Sequence, residues 1–229
     1  MKGALAQIFP KGANDFARFS IVLVKLLVIA VLVGGFVIYR SPAVSEVGIQ
    51  KNQPVPFSHH RHVAGNGMDC RYCHSSVEDS YFANIPATET CMGCHSQILT
   101  DQPMFDPVHA SWESGDPIEW VRVHDVPDFV YFNHSIHIAK GVGCETCHGR
   151  VDEMRLTYKV HNMTMQWCLD CHRAPEKYLR PQDEVYTMGY APTDPDTGEA
   201  ISQLELGRRL VEEYDIKVGQ LTNCTVCHR

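Results

Sequence analysis

One long apolar segment stands out in a chain whose other hydrophobic residues are scattered among polar ones. Residues 19–39 (FSIVLVKLLVIAVLVGGFVIY) span 21 positions with a single charged residue, Lys25. A helix of that length can cross a bilayer. Further along, apolar residues recur at helical spacing within 203–215, which predicts one amphipathic helix there. The pattern predicts a membrane-spanning helix followed by a domain of loops and short helices.

The flanks of the apolar segment predict its orientation. Three basic residues precede it, and positive charge favours the cytoplasmic side of a membrane. They are Lys2, Lys11 and Arg18. We therefore expect 1–18 to be a cytoplasmic N-terminus, 19–39 a single-pass anchor in the inner membrane, and 40–229 a periplasmic domain. The alternative is a cleaved signal peptide, because AVS at 43–45 resembles a cleavage site. The apolar segment is long for a signal core, which favours an uncleaved signal-anchor.

Two long segments of the remaining chain carry no hydrophobic period. Prolines and tryptophans are spread through 96–131, which we interpret as a loop that wraps the domain. Residues 180–202 are polar and rich in turn-forming residues, which predicts an exposed excursion. With 13 prolines and 16 glycines in the chain, we expect little regular structure.

The cysteines follow a single repeated pattern. All ten fall in five Cys-x-x-Cys-His motifs, and this motif is the attachment sequence of c-type haem. The motifs are Cys70-Cys73-His74, Cys91-Cys94-His95, Cys144-Cys147-His148, Cys168-Cys171-His172 and Cys224-Cys227-His228. In each motif the two thiols bond to the vinyl groups of the porphyrin, and the adjacent imidazole reaches the iron as its proximal ligand. The motifs predict five covalently bound haem c groups.

Zinc is the main alternative for the cysteines. The motif pairs at 70–94 and 144–171 both fit the zinc spacing C-x₂-C-x₁₅₋₂₀-C-x₂-C. The fifth motif would have no partner, however, and every motif is followed by a histidine that zinc does not require. Five haems therefore explain the cysteines better.

Five haems change what the composition implies. Much of the buried apolar surface would belong to porphyrin, so we expect a fold that forms only with haem. The formal net charge of the chain is −7, and the haem carboxylates would make it more negative. A negatively charged domain repels the phosphate backbone, which argues against nucleic acid as a partner.

The motifs are arranged as a duplication. Their first cysteines are 21, 53, 24 and 56 residues apart, so that short gaps alternate with long ones. A Phe-x-His-x-x-His box precedes each close pair, as FSHHRH at 57–62 and FNHSIH at 132–137. Repetition of this kind indicates duplication of one supersecondary unit. We predict two-haem repeats over 57–95 and 132–172, followed by a single-haem tail over 180–229.

Eight histidines remain to supply the second, distal ligand of each iron. They are His59, His60, His62, His109, His124, His134, His137 and His161. Histidines at i and i+3 of a helical turn lie on one side but diverge by about 60°, so one box could serve two neighbouring haems. We do not expect His60 to be a distal ligand, because the second box has Ser135 in the matching place.

The two boxes could supply four distal ligands, which would leave the fifth open. We favour His124, which lies just ahead of the second box. Met154, Met163, Met165 and His161 are alternatives, and a methionine ligand would raise the reduction potential of its haem.

The boxes resemble those of the small multihaem cytochromes of sulfate reducers, which are class III cytochromes c. In that family the first histidine of a box serves the haem attached just downstream, and the second serves another haem. The resemblance implies that His59 and His134 ligate the haems on the motif following each box. It also implies that His62 and His137 ligate two further haems.

Longer stretches carry a second resemblance. The apolar segment, the five motifs, the boxes, VRVHDVPDFVYFNHSIH, CHGRVDEM and TMQWCLDCHR together resemble the pentahaem cytochrome c subunit of bacterial alternative complex III. This implies an electron carrier beside an iron–sulfur subunit and polytopic, quinol-binding membrane subunits. Electrons would pass to a monohaem cytochrome c or a terminal oxidase. The stretch around His124 is characteristic of that family, which favours His124 as a ligand, whereas His161 lies outside the pattern.

Two other functions compete with an electron-transfer subunit. A pentahaem nitrite reductase keeps one iron open, typically on a Cys-x-x-Cys-Lys motif, and this sequence has no such motif. A free-standing, membrane-anchored quinol dehydrogenase needs a quinone pocket, which a single membrane helix forms poorly. We therefore predict a subunit that is not catalytic by itself.

Overall fold

The computed structural model describes residues 9–10 and 12–228, so Lys2 and Lys11 of the predicted basic flank lie outside the described residues. Helices, turns and loops make up the described chain, and the β-type pairings found in it are isolated bridges. The chain divides into two compact units, Met1–Glu46 and Val47–Arg229. This helix-and-loop organisation agrees with the fold class predicted from the sequence.

The α-helices of the described residues are short apart from the first. They are α1 (Ala13–Arg40), α2 (Pro42–Ser45), α3 (Cys70–Cys73), α4 (Thr88–His95), α5 (Asp106–Ser114), α6 (His134–Ala139), α7 (Cys144–His148), α8 (Met165–Arg173), α9 (Gln203–Glu213) and α10 (Cys224–Cys227). A π-helical turn covers His60–Gly65. Turns of 3₁₀ helix cover Pro103–Phe105, Val151–Glu153, Pro175–Lys177, Gln182–Glu184 and Val218–Gln220.

The first unit contains a helix that could cross a membrane. The most apolar part of α1 has a mean hydropathy of 3.0, and its side chains are not buried against protein. The helix begins at Ala13, ahead of the apolar segment 19–39 that the sequence predicted. By length and composition α1 fits a membrane span, and a signal sequence near the N-terminus fits the same criteria.

The apolar core of the second unit is small. Val142, Leu179, Leu206 and Leu210 form a cluster, against which Tyr214 packs. Among the described residues of this unit nine hydrophobic side chains are buried, which is few for its length. The protein side chains alone therefore give this unit little stability, and it needs a further apolar component.

The predicted amphipathic helix is confirmed as α9, which packs on the turn at Pro175–Lys177. Leu206 and Leu210 are buried in this contact, whereas Leu204 is 42% exposed. The Ser202 side chain accepts a hydrogen bond from the backbone N–H of Glu205 and caps the first turn. The apolar face is thus narrower than the sequence pattern suggested.

The interpretation of 96–131 as a loop without helices is wrong, because α5 lies within it. Pro107 occupies the first turn of α5, where its missing N–H costs nothing. Gly115, at φ 79°, ends the helix in the left-handed region. The side chain of Ser111 faces inward and shares a hydrogen bond with Thr88 (2.6 Å). A buried serine conceals the apolar period that would have indicated a helix.

The beginning of 180–202 is buried, although the sequence predicted an exposed excursion. Arg180 is 6% exposed and pairs with Glu145 through its Nη2 and the carboxylate Oε1 (2.8 Å). The same carboxylate accepts hydrogen bonds from the backbone N–H groups of Gly189 (2.6 Å) and Tyr190 (3.3 Å). Because Glu145 lies between the cysteines of the third motif, this network fastens the segment to that motif.

The rest of this segment, 190–201, is fastened to α9 by Asp194. Its carboxylate accepts hydrogen bonds from the backbone N–H of Asp196 and from Nη1 of Arg209, each 2.9 Å. These bonds hold the pKa of Asp194 below its ordinary value. The loop conformation is therefore stabilised when the carboxylate is ionised.

We expect Asp194→Asn to speed amide hydrogen exchange in 190–201 at pH 7, with Asp196→Asn as the matched control. Because folding lowers the pKa of Asp194, the stabilisation is complete above the unfolded value of about 3.9 and is lost as the pH falls through the folded value. The exchange rates of the wild type and the variant should therefore converge at low pH. Equal rates at pH 7 would show that Asp194 does not hold the loop.

Candidate haem sites

Each Cys-x-x-Cys-His motif has both cysteines on one short helix, α3, α4, α7, α8 or α10. Cysteines three residues apart on a helical turn lie on the same side. We number the motifs in chain order: site 1 (Cys70, Cys73, His74), site 2 (Cys91, Cys94, His95), site 3 (Cys144, Cys147, His148), site 4 (Cys168, Cys171, His172) and site 5 (Cys224, Cys227, His228). All ten thiols are free, so the motifs do not form disulfides.

The two Phe-x-His-x-x-His boxes adopt the same arrangement. In the first box the ring centre of Phe57 lies 4.9 Å from that of the first histidine and 4.4 Å from that of the second. In the second box Phe132 lies 4.8 Å and 4.6 Å from its two histidines. Each phenylalanine thus packs against both imidazoles of its box. The geometry repeats as the duplicated sequence predicts.

Four box histidines face four motif histidines across a gap. The ring centres are 6.4 Å apart for His59 and His74, 6.3 Å for His62 and His95, 6.3 Å for His134 and His148, and 6.2 Å for His137 and His172. The ring planes are close to parallel at sites 1 and 3, with angles of 8° and 7°. At sites 2 and 4 the angles are 62° and 30°.

These separations fit one metal ion between two imidazoles. A bond from a metal to an imidazole nitrogen is about 2.0 Å. The nitrogen lies roughly 1.1 Å from the ring centre when C–N bonds of about 1.33 Å close a five-membered ring. Two imidazoles on opposite sides of one metal therefore have centres about 6.2 Å apart. Rings in direct contact lie closer, as the 4.3 Å between His95 and Phe105 shows.

Hydrogen bonds hold the second nitrogen, Nδ1, in seven of the facing imidazoles and in His228 of site 5. Backbone carbonyls accept from seven histidines, and a hydroxyl bonds an eighth. The pairs are His62 with Ser58, His74 with Asn84, His95 with Ile98, His134 with Tyr81, His137 with Asn133, His172 with Leu221, His228 with Phe129, and His59 with the Thr157 hydroxyl. A carbonyl can only accept, so the proton lies on Nδ1 and the Nε2 lone pair is free. Metal-binding histidines are oriented in this way.

Burial favours the neutral form of four of the facing imidazoles. It lowers the pKa of His59 to about 4 and that of His148 to about 3, and neighbouring histidines add to both shifts. It also lowers the pKa of His134 and His137. A neutral imidazole is the form that binds a metal. The residues of sites 1 to 4 therefore fit an iron with two histidine ligands.

Site 5 has no facing histidine among the residues that the structure describes. His124, which the sequence favoured for a fifth distal ligand, lies beside site 3, with its ring centre 4.3 Å from that of His148 and its plane turned by 77°. Its Nε2 is buried and has no hydrogen-bond partner in the described chain. Burial lowers the pKa of His124 to about 4, and the nearby Lys159 adds to this shift. That His124 ligates an iron stays a prediction.

The alternative fifth ligands lie in two places. Met154 is buried next to the first box, where its carbonyl accepts a hydrogen bond from the backbone N–H of His60 (3.0 Å). Met163 and Met165 lie at the start of α8, the helix that carries site 4. His161 stacks on Trp167 of the same helix at 5.2 Å between ring centres. The side chain of His60 is exposed, as expected for a histidine that is not a distal ligand.

Sequence reasoning missed the groups that orient the facing histidines. Most of them are backbone carbonyls, such as those of Tyr81 and Asn84, which leave no side-chain signature. The Glu145–Arg180 pair was also missed, because its partners are distant in the sequence. The sequence also did not indicate that Lys159 is buried near His124. Its exposed fraction is 8%. A buried lysine next to a histidine cannot be recognised without the fold.

Fold and sites together define a class of protein. Among the described residues there is no group of three or more His, Cys, Asp or Glu side chains that could hold a metal ion, whereas a structural zinc site needs four ligands. A helix-and-loop domain with a small protein core, Cys-x-x-Cys-His motifs and facing imidazoles is typical of a multihaem cytochrome c.

Comparison with known proteins agrees with this class. The family model described as "Cytochrome c7 and related cytochrome c" matches residues 130–229. A relative from Nitratidesulfovibrio vulgaris, named "Menaquinone reductase, multiheme cytochrome c subunit", is 32% identical over 182 residues, which cover 79% of this chain and 78% of the relative. The chain therefore belongs to the multihaem cytochrome c family, whose members bind c-type haem covalently.

Proposed function

We propose that this chain is the electron-transfer subunit of a membrane complex that exchanges electrons with quinone, and that it holds five haem c groups. The observation that carries the proposal is the set of four facing histidine pairs. Two histidines at each of these sites would hold an iron from both sides and would leave no position open for a substrate. Such sites suit electron transfer rather than catalysis.

Each residue set has a defined task in this proposal. The two cysteines of sites 1 to 5 attach the porphyrins, and the motif histidines are the proximal ligands. His59, His62, His134 and His137 are the distal ligands of sites 1, 2, 3 and 4. Bound haem supplies a carrier of one electron. The Nδ1 hydrogen bonds hold the imidazoles in place, which would keep the reorganisation that accompanies electron transfer small.

The location and partners follow from α1 and from the relative. We propose that α1 anchors the chain in the inner membrane with its N-terminus in the cytoplasm, and that 47–229 lies in the periplasm, where c-type haem is attached. The relative's name describes a subunit of menaquinone reductase, which supports quinone-binding membrane subunits as partners here. An iron–sulfur subunit and a monohaem cytochrome c complete the proposed assembly, as the resemblance to alternative complex III implies.

Two directions of electron flow are supported by different observations. The resemblance to alternative complex III favours quinol oxidation, with electrons passing to a periplasmic cytochrome c or a terminal oxidase. The relative's name favours menaquinone reduction as the second candidate. We propose quinol oxidation as the function, because the resemblance extends along nearly the whole chain.

The experiment compares the complex with the chain alone. The complex is purified through a tag on this chain, and menaquinol or ubiquinol is added while the haem α-band is recorded. We expect quinol to reduce the haems in the complex and not in the isolated chain. Rapid quinol oxidation by the isolated chain would instead indicate a free-standing quinol dehydrogenase. If quinol does not reduce the haems but the pre-reduced complex transfers electrons to added menaquinone, the complex reduces menaquinone instead. The absence of any reaction in either direction would refute the proposal.

A further inference from the structure

The five sites are connected in space in an order that differs from their order along the chain. Within each repeat the connection is the box itself. Phe57 contacts the distal histidines of sites 1 and 2, and Phe132 contacts those of sites 3 and 4. Sites 1 and 2 are therefore neighbours, and so are sites 3 and 4.

A single loop connects site 1 to site 3. The carbonyl of Asn84 accepts a hydrogen bond from Nδ1 of His74, the proximal ligand of site 1 (2.7 Å). Three residues earlier, the carbonyl of Tyr81 accepts from Nδ1 of His134, the distal ligand of site 3 (2.8 Å). The two repeats thus meet through site 1 and site 3, and in the described residues no hydrogen bond or ring contact joins site 2 to site 3 or site 4.

Site 5 is connected to site 4. The proximal imidazole of site 4, His172, donates through Nδ1 to the carbonyl of Leu221 (2.9 Å), three residues before the first cysteine of site 5. The segment that leads into the second box holds site 5 from the other side, because the backbone N–H of Tyr131 donates to the carbonyl of Cys227 (2.8 Å). The described chain shows no hydrogen bond or ring contact between site 5 and sites 1 or 2.

Neighbouring thiols repeat the same order. Sulfur atoms of different motifs lie near each other in four pairs, and a hydrogen bond joins one of these pairs. The pairs are Cys73 with Cys91, Cys70 with Cys144, Cys147 with Cys171, and Cys168 with Cys227. They connect site 2 to site 1, site 1 to site 3, site 3 to site 4 and site 4 to site 5.

Exposure distinguishes the two ends of this row. Cys94 of site 2 and Cys224 of site 5 are exposed, whereas the other eight cysteines are partly buried. The ends are therefore the places where another protein can approach a haem edge.

We propose that the five sites form one unbranched row in the order 2–1–3–4–5, so that electrons enter and leave the chain at sites 2 and 5. The proposal rests on the proposed electron-transfer function and adds the route and its two docking ends. Site 3 is the middle of the row. The first repeat contributes one end and its neighbour, and the second repeat contributes two interior sites. A route in chain order would instead place site 1 at an end.

The test removes one site at a time from the full-length holoprotein and measures the midpoint potentials of the remaining haems. The charge of a reduced haem changes the potential of its neighbours, and this effect falls with distance. We expect Cys91→Ala with Cys94→Ala to shift the potential of the site 1 haem and of no other. The matched variant, Cys224→Ala with Cys227→Ala, should shift only the site 4 haem, whereas removal of site 3 should shift two.

Haem-methyl NMR signals followed through a redox titration resolve the individual potentials, and each deletion identifies the signals of its own site. A milder variant, His62→Met, keeps the site 2 haem but raises its potential; it should again affect site 1 alone. Two results would overturn the order. One is that removal of site 2 shifts the potential of the site 3 or site 4 haem as much as that of the site 1 haem. The other is that removal of site 5 shifts the potential of the site 2 haem. These measurements use the isolated chain without quinone. Their outcome therefore does not depend on the result of the quinol assay, and the two proposals can fail separately.

Discussion

Replacing His134 with alanine is expected to turn one low-spin haem into a high-spin haem that binds carbon monoxide. The cysteines of site 3 and His148 are untouched, so a haem bound there should stay attached. Its iron would lose the imidazole that faces His148 at 6.3 Å, and the open position would become available to an external ligand. About one fifth of the haem should change its spin state, since one of five sites is altered. Electronic spectra with and without carbon monoxide, and electron paramagnetic resonance, measure the change.

The first box provides a matched control for this variant. His60 lies in the same kind of motif, but its side chain is exposed, and we expect His60→Ala to keep all haems in their original spin state. His134→Met should restore a six-coordinate iron at site 3 with a raised potential. An unchanged low-spin spectrum in His134→Ala would contradict the assignment of His134 as a distal ligand.

Replacing Gly207 with alanine is expected to destabilise the second unit strongly. Gly207 lies in α9 where the helix closes on the turn at Pro175–Lys177, and a Cβ there would overlap the backbone carbonyl of Glu176. The backbone of Glu176 cannot move aside easily, because Gln203 donates a hydrogen bond to its carbonyl (3.2 Å). We expect a loss of about 2–3 kcal/mol in the free energy of unfolding.

The Gly207→Ala variant is informative because the expected change in the free energy of unfolding is a loss rather than a gain. At an open helical position, glycine to alanine stabilises by about 0.5–1 kcal/mol, so helix propensity alone predicts the opposite result. Gly219→Ala is the control, because a Cβ at Gly219 meets no atom within 4 Å. Urea unfolding of the holoprotein, followed by circular dichroism, compares the variants. Equal midpoints for Gly207→Ala and Gly219→Ala would show that α9 does not pack as described.

The sequence predicted those parts of the fold in which residues recur at a fixed spacing along the chain. The Cys-x-x-Cys-His motif, the histidines three apart and the duplicated boxes are all local patterns, and the structure brings each box histidine opposite a motif histidine. The apolar period of α9 was likewise visible. These features were predictable because each depends on residues within a few turns of one another.

What the sequence did not reveal depends on partners that are distant along the chain or have no side-chain signature. The helix α5 was missed because Pro107 begins it and Ser111 faces inward. The Glu145–Arg180 pair joins residues 35 positions apart. The order of the sites follows from carbonyls such as that of Tyr81, and a carbonyl is present at every residue. Such contacts are specified by tertiary packing alone.

The intact mass of the purified holoprotein, together with its metal content, tests the central claim most directly. The claim is that the chain is chiefly a scaffold that holds five iron porphyrins through its ten cysteines. We predict the mass of the polypeptide plus five haems, and five irons per chain. A mass with fewer haems, or a preparation in which zinc exceeds iron, would contradict it.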